Sequence, residues 1–246
     1  MRPATAKPFQ IRRALRALVA LNADPDETSH VFTIIEALSG SSHRHLVALF
    51  EQSEDGQHLL RARPELIPIL ADRDALRRMP EGSLAHAYLR FVESEGITAD
   101  GLVAASDASE SRLHEEGSDI EFVANRMRDT HDLWHAVTGY QGDVLGETSL
   151  LAFNVPQTRN VGVALITILG FTRVRRLNAW RVIAGGLRRG MQARSLPPVH
   201  WEQLLPLPLE EVRARLRIQP ARAYEPVRTS TLREEGSLPP RPAMAM

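Results

Sequence analysis

The chain has 246 residues, 43% of them hydrophobic, with 30 basic and 30 acidic side chains giving zero formal net charge, and it has no cysteine. That length and apolar content suit a folded body with a sizeable core. Zero net charge excludes a nucleic-acid binder held by bulk electrostatics, and the lack of cysteine excludes disulfides and thiolate metal sites. Lys7 is the only lysine among the basic residues, a bias read here as genomic and of bacterial type.

The pattern is helical nearly throughout. Ile11, Leu15, Leu18 and Val19 follow helical spacing and predict a first helix rather than a cleaved leader. "DPDETSHVFTIIEALSG" predicts a helix that opens on proline and acids and stops at Gly40, with a short helix over 43–52 after it. Pro64, Pro68 and Pro80 punctuate further short helices. Over 81–94, Leu84, Tyr88, Phe91 and Val92 share one face, and Gly96 closes the element. Residues 117–139 read as one helix. Residues 160–194 read as one or two, interrupted near Gly185 and Gly186, and a last helix covers about 208–218. Sustained period-two alternation is absent, so the expected fold is all-α: a single helical domain over 1–218 and a Pro-rich, flexible tail over 219–246. The longest nearly apolar run, "VGVALITILGF", is too short for a span of about 20 residues.

One stretch carries chemistry: "HDLWHAVTGYQGDVLGE", residues 131–147. His131 and His135 are four apart, one turn along the same helical face, where two imidazoles reach one metal ion. Asp132 points about 100° away. It is either a ligand on a distorted turn or an outer acceptor that orients a histidine. A straight helix would put Glu147 about 18 Å from His135, out of reach. Gly139 and Gly142, however, bracket a turn that can fold the chain back. A helix–Gly turn–helix hairpin then returns Glu147 to the level of His135. Two histidines with one or two carboxylates suit zinc or another divalent ion with open positions, such as Fe2+, Co2+ or Mg2+.

The segment His131-Asp132-x-x-His135, eleven residues, Glu147 resembles at every fixed position the signature of the Coq-four family of ubiquinone biosynthesis. Chance would give a pattern fixed beforehand in about one chain in a thousand. "MPEGSLAHAYLRFV", "RMRDTHDLWHAVTG", "GETSLLAFNVPQTRN" and "DPDETSHVFTIIEALSG" are similar to other family segments, so the likeness spans about 12–195. His86 and the Pro-rich tail depart from the family pattern.

The resemblance implies an all-helical protein that holds zinc, or another divalent metal, through His131, Asp132, His135 and Glu147. It implies work at a membrane surface on polyprenylated precursors of ubiquinone. The implied chemistry is oxidative decarboxylation, the ring C1 carboxylate being replaced by hydroxyl, with these four residues as the catalytic set. The alternative is a non-catalytic, lipid-binding scaffold for the biosynthetic complex. Other ubiquinone biosynthesis enzymes and a second copy in a homodimer are the implied partners, with no nucleic acid. The expected location is a bacterial cytoplasm, peripheral to the inner membrane.

Arginines 173, 175, 176, 181, 188, 189 and 194, with Trp180 among them, fit a helix lying on anionic lipid, or else a solvated face. Arg126 and Arg128 are candidates for a substrate carboxylate or for structural pairs. His43, His45, His58 and His86 are read as surface or core residues. The "HD" doublet also raises an HD-type phosphohydrolase, with His114 and Asp143 completing the set, but that leaves His135 and Glu147 unexplained.

Overall fold

The computed structural model describes residues 8–23, 27–98, 117–174 and 179–236. Helices α1 (Ile11–Ala23), α2 (Ser29–Ala37), α3 (Ser42–Glu51), α4 (Glu54–Ala62), α5 (Ile67–Ala71), α6 (Arg73–Arg77) and α7 (Leu84–Glu95) form the first half. The second half holds α8 (Asp119–Asp129), α9 (His131–Thr138), α10 (Val144–Thr158), α11 (Val161–Arg173), α12 (Ala179–Gln192), α13 (Trp201–Leu204), α14 (Leu209–Leu216) and α15 (Thr229–Glu234). Among the described residues there is no strand, only an isolated bridge between Ser83 and Pro208. The all-α expectation holds.

Local chemistry sets the helix starts. Ser53, Asp72, Ser83, Ser118, Asp143 and Asn160 each accept a hydrogen bond from a backbone N–H in the first turn of the helix that follows. Gly96 and Gly139 end α7 and α9 in the left-handed conformation.

Helix α10 is the axis. It packs on α11 and α12, while α9 packs on α7, and α2 joins α1 to α11. The main core gathers Tyr88, Leu133, Trp134, Phe153, Leu196 and Trp201, all almost fully buried.

Four expectations change. The predicted 117–139 helix is two helices, meeting at Thr130, whose hydroxyl bonds back to the carbonyl of Met127. The break in 160–194 falls after α11, and Gly185 and Gly186 lie inside α12. A Cβ on Gly186 or Gly190 would press into the carbonyl oxygen of Ser149 or Phe153. These glycines therefore let α12 approach α10 closely; they do not interrupt a helix. Gly190→Ala is expected to destabilise the protein by about 2 kcal/mol in urea unfolding. Gly185→Ala meets only the flexible end of Arg189 and should be neutral or better.

Helix α1 forms as expected but buries its small residues Ala14 and Ala17, with Leu21, and exposes Ile11, Leu15 and Val19. Its inner face is the one that fits closest to α2. Finally, the tail is not loose from residue 219. Val227 and Leu232 are buried beside Leu145 and Ile183 of α10 and α12. Apolar side chains spaced through "AYEPVRTSTL" give that segment a packing face as far as Gly236, and residues 237–246 lie outside the described set.

Candidate metal centre

The hairpin forms as expected. Helix α9 ends at Gly139, a short loop crosses, and Asp143 caps α10 through the N–H groups of Leu145 and Gly146. Glu147 therefore sits in the first turn of α10, opposite the histidines. Nε2 of His135 lies 3.2 Å from Oε1 of Glu147, and Nε2 of His131 lies 3.7 Å from Oε2. One ligand atom from each of the three residues falls within 4.8 Å of the others.

The second nitrogen of each ring decides what the first can do. Nδ1 of His135 is 3.0 Å from the carbonyl oxygen of Tyr140, which only accepts. Nδ1 of His131 is 3.1 Å from Oδ1 of Asp132. Both Nδ1 atoms are therefore donors, and each neutral ring presents an Nε2 lone pair to the cluster. Nε2 of His135 is buried and has no hydrogen-bond partner. A lone pair 3.2 Å from a carboxylate oxygen is repelled unless a cation lies between them. This donor set, two imidazole nitrogens and one carboxylate, fits a divalent metal.

Charge agrees with this geometry. Burial alone would raise the pKa of Glu147, but His135 and His131 overcome it and pull the carboxyl down to about 2. Burial would lower the pKa of His131, yet Asp132 and Glu147 reverse that, and the net shift is upward.

Asp132 is buried, touches Nδ1 of His131, and stands outside the three-residue cluster. Of the two readings open for it, the geometry matches the orienting acceptor. Phe91 of α7 stacks on His135, with centroids 4.5 Å apart and planes 10° apart. The loop is tied from outside as well. Glu95 accepts from the N–H of Gly142 and pairs with Arg228. Tyr224 accepts from the N–H of Gln141 and donates to Asp143 at 2.8 Å. Val227 exchanges hydrogen bonds with Val144 and Asp143. Asp143 is thus spent on capping and the strap, and His114 lies outside the described residues; among the described residues nothing assembles an HD-type site around the doublet.

Two members of the cluster, His131 and Glu147, line a cavity of about 770 Å3, and His135 is not on its wall. The wall mixes aliphatic side chains, among them Val31, Ile35, Leu151 and Ile166, with polar and charged ones, among them Glu36, His43, Arg128, Asn154, Arg228 and Arg233. Arg126 is not part of it. It is buried and grips Glu202 through both terminal nitrogens, at 2.8 and 2.7 Å, while Arg128 pairs with Asp129. Sequence reasoning set His43 aside, and no motif marked Glu36, Phe91, Tyr140 or Asn154. Helical spacing places Phe91 on the inward face of α7 and is the one signal that bears on any of them.

Fold and site together define an all-helical protein with a two-histidine, one-carboxylate cluster beside a cavity of mixed polar and apolar lining. The family model for the coenzyme Q (ubiquinone) biosynthesis protein Coq4 matches residues 9–222. The chain belongs to the Coq4 family of ubiquinone biosynthesis proteins. It is 27% identical over 208 residues to a mitochondrial ubiquinone biosynthesis protein COQ4 homolog of Aedes aegypti, covering 82% of this chain and 72% of that one. It is 29% identical over 173 residues to the mitochondrial coq4 protein of Talaromyces stipitatus, covering 68% and 57%. The chain thus spans little more than half of the fungal relative. A crystal structure from Nostoc punctiforme, of a protein named provisionally for ubiquinone biosynthesis, superposes with a TM-score of 0.62 at 24% identity over 85% of this chain and 98% of that one, which supports the fold.

Proposed function

We propose that the chain carries out oxidative decarboxylation at C1 of a polyprenylated hydroxybenzoate-type ring. The carboxylate leaves as carbon dioxide, water supplies the hydroxyl, and two electrons pass to an external acceptor such as molecular oxygen. The observation that carries this reading is that His131 and Glu147 of the cluster line a cavity that also holds an aliphatic stretch, Val31, Ile35, Leu151, Val163, Ile166 and Leu169. The polar cluster suits the ring carboxylate, and the cavity suits the isoprenoid chain.

A divalent ion bound there, zinc by first expectation and Fe2+, Co2+ or Mg2+ by the same donors, supplies Lewis acidity toward ring oxygens. The chain's own residues do the rest. Asp132 and the Tyr140 carbonyl hold both imidazoles in one tautomer. Phe91 fixes the plane of His135. Arg128, on the cavity wall three residues before His131, adds positive charge beside the place for the ring carboxylate.

The test is complementation of a ubiquinone-requiring host that lacks its own family member, with quinone intermediates profiled by mass spectrometry. The wild type should restore ubiquinone. Glu147→Ala should accumulate a prenylated ring that keeps its carboxylate. Restoration by the variant would instead favour the scaffold reading and its partnership with other biosynthetic enzymes.

Membrane docking belongs to the same proposal. No helix among the described residues is long and apolar enough to cross a bilayer. Trp180, Leu187 and Met191 are exposed on α12, as are Ile11, Leu15 and Val19 on α1, with Arg12, Arg16, Arg181 and Arg188 also exposed on these helices. Apolar faces flanked by arginine suit an anionic lipid surface. Arg173 and Arg189 contribute less, since one bonds the carbonyl of Leu21 and the other the hydroxyl of Tyr140. Flotation with anionic liposomes should fall when Arg12, Arg16, Arg181 and Arg188 become glutamate. Unchanged flotation together with a dimer in solution would assign these faces to a second copy.

A further inference from the structure

The cavity has a second polar end. Helix α10 lines it with one stripe of side chains: Glu147, Thr148, Leu151, Asn154 and Thr158. The helical rise puts Asn154 roughly 10 Å, and Thr158 roughly 16 Å, along the axis from Glu147. Asn154 is only 9% exposed, and its carboxamide forms no hydrogen bond among the described residues. The hydroxyl of Thr158, by contrast, is used up on the carbonyl of Asn154.

Glu36 and His43 line the same end, with Oε2 and Nε2 3.6 Å apart. Asn160 seats them. Its side chain caps α11 and donates to the Ile35 carbonyl at 3.3 Å and the Ser42 hydroxyl at 3.1 Å, one residue before each of the pair. Beside the aliphatic stretch of Val31, Ile35, Val163 and Ile166, an acid, an imidazole and an amide that bonds no described residue give this part of the wall polar groups that a ligand can meet. They suit a ligand that brings its own polar group to this end.

We propose that Asn154, backed by the Glu36–His43 pair, is a specificity site for the ring hydroxyl para to the carboxylate. This rests on the reading that the carboxylate faces the His131–His135–Glu147 cluster. A metal–oxygen bond of about 2 Å at one end, the ring, and a hydrogen bond of about 2.9 Å at the other bridge a gap of the size that separates the two ends. The Asn154 oxygen accepts from a phenol, or its amide donates to a phenolate. The isoprenoid chain then runs along the aliphatic wall. A ring without that hydroxyl leaves the buried amide unpaired and is rejected.

The test is calorimetric titration of the zinc-loaded full chain with two probes, 3-geranyl-4-hydroxybenzoate and 3-geranylbenzoate. The wild type should prefer the hydroxylated probe at least about tenfold. Asn154→Leu, close in shape, should lose the preference, binding the hydroxylated probe more weakly than the wild type does and the deoxy probe at least as well. His43→Phe provides a second variant should Asn154→Leu fail to fold, and it should narrow the preference. Equal binding of both probes by the wild type, or full discrimination retained in a folded variant, overturns the specificity site and leaves the ring reading standing. Binding of neither probe by folded, zinc-loaded wild type removes the ring reading, and the specificity site with it.

Discussion

Purified His135→Ala protein is expected to bind zinc at least about 100-fold more weakly than the wild type, more than an outer partner of a ligand usually contributes. His135 is fully buried, its Nδ1 is committed to the Tyr140 carbonyl, and Phe91 covers its face. No other histidine of the described chain joins the cluster, so none can replace it. Asp132→Asn should lose less, ten- to a hundredfold. Asparagine can still meet Nδ1 of His131, but its amide nitrogen would select the wrong tautomer. Competition against a chelating dye measures both. Zinc should also raise the melting temperature of the wild type and leave that of His135→Ala unmoved. Equal affinity in wild type and His135→Ala would take the cluster out of metal binding.

Arg126→Met should cost about 3–5 kcal/mol, because it strands the Glu202 carboxylate in the interior. Both side chains are nearly inaccessible, and the pair is held by two short hydrogen bonds. The effect has a pH signature. Burial would raise the pKa of Glu202, but Arg126 outweighs it and holds the carboxyl below its ordinary 4.5. In the wild type the pair therefore stabilises fully above that value and fades as pH falls through the lower, folded value. In the variant a backbone hydrogen bond and His200 still favour the charged form, but burial is no longer opposed by Arg126, so the carboxyl shifts upward and takes a proton sooner. The gap between the two proteins should be widest near pH 7 and shrink toward pH 4 in urea unfolding. A constant gap would mean that Arg126 acts through packing of its stem alone.

Much of this was legible in the sequence because the signals were local. Helix identity follows from spacing and caps. The metal hairpin follows from two histidines a turn apart, two glycines and a returning glutamate. What could not be read depends on surfaces meeting. Gly186 and Gly190 look like helix breakers until α10 is laid against them. Ile11, Leu15 and Val19 look like a core stripe, but closeness of approach, with Ala14 and Ala17, decided which face turned inward. The partner of Arg126 lies 76 residues away, and no local pattern names it. His43 and Asn154 gain meaning only from the cavity that both line.

The strap from Ala221 to Val227 has a consequence for the order in which the protein is made. Both arms of the ligand hairpin are complete as chain by Thr158. Glu95 ties the joining loop at Gly142, and the other ties come when Ala221 donates to the Thr138 carbonyl, Tyr224 bridges Gln141 and Asp143, and Val227 pairs with Val144. Those residues leave the ribosome only after both arms have been made. During synthesis the two histidines and the glutamate are therefore present on a loop still free to open, and the emerging C-terminal segment latches that loop afterwards. An ion captured early would be locked in once the strap is made, whereas exchange afterwards must undo the latch.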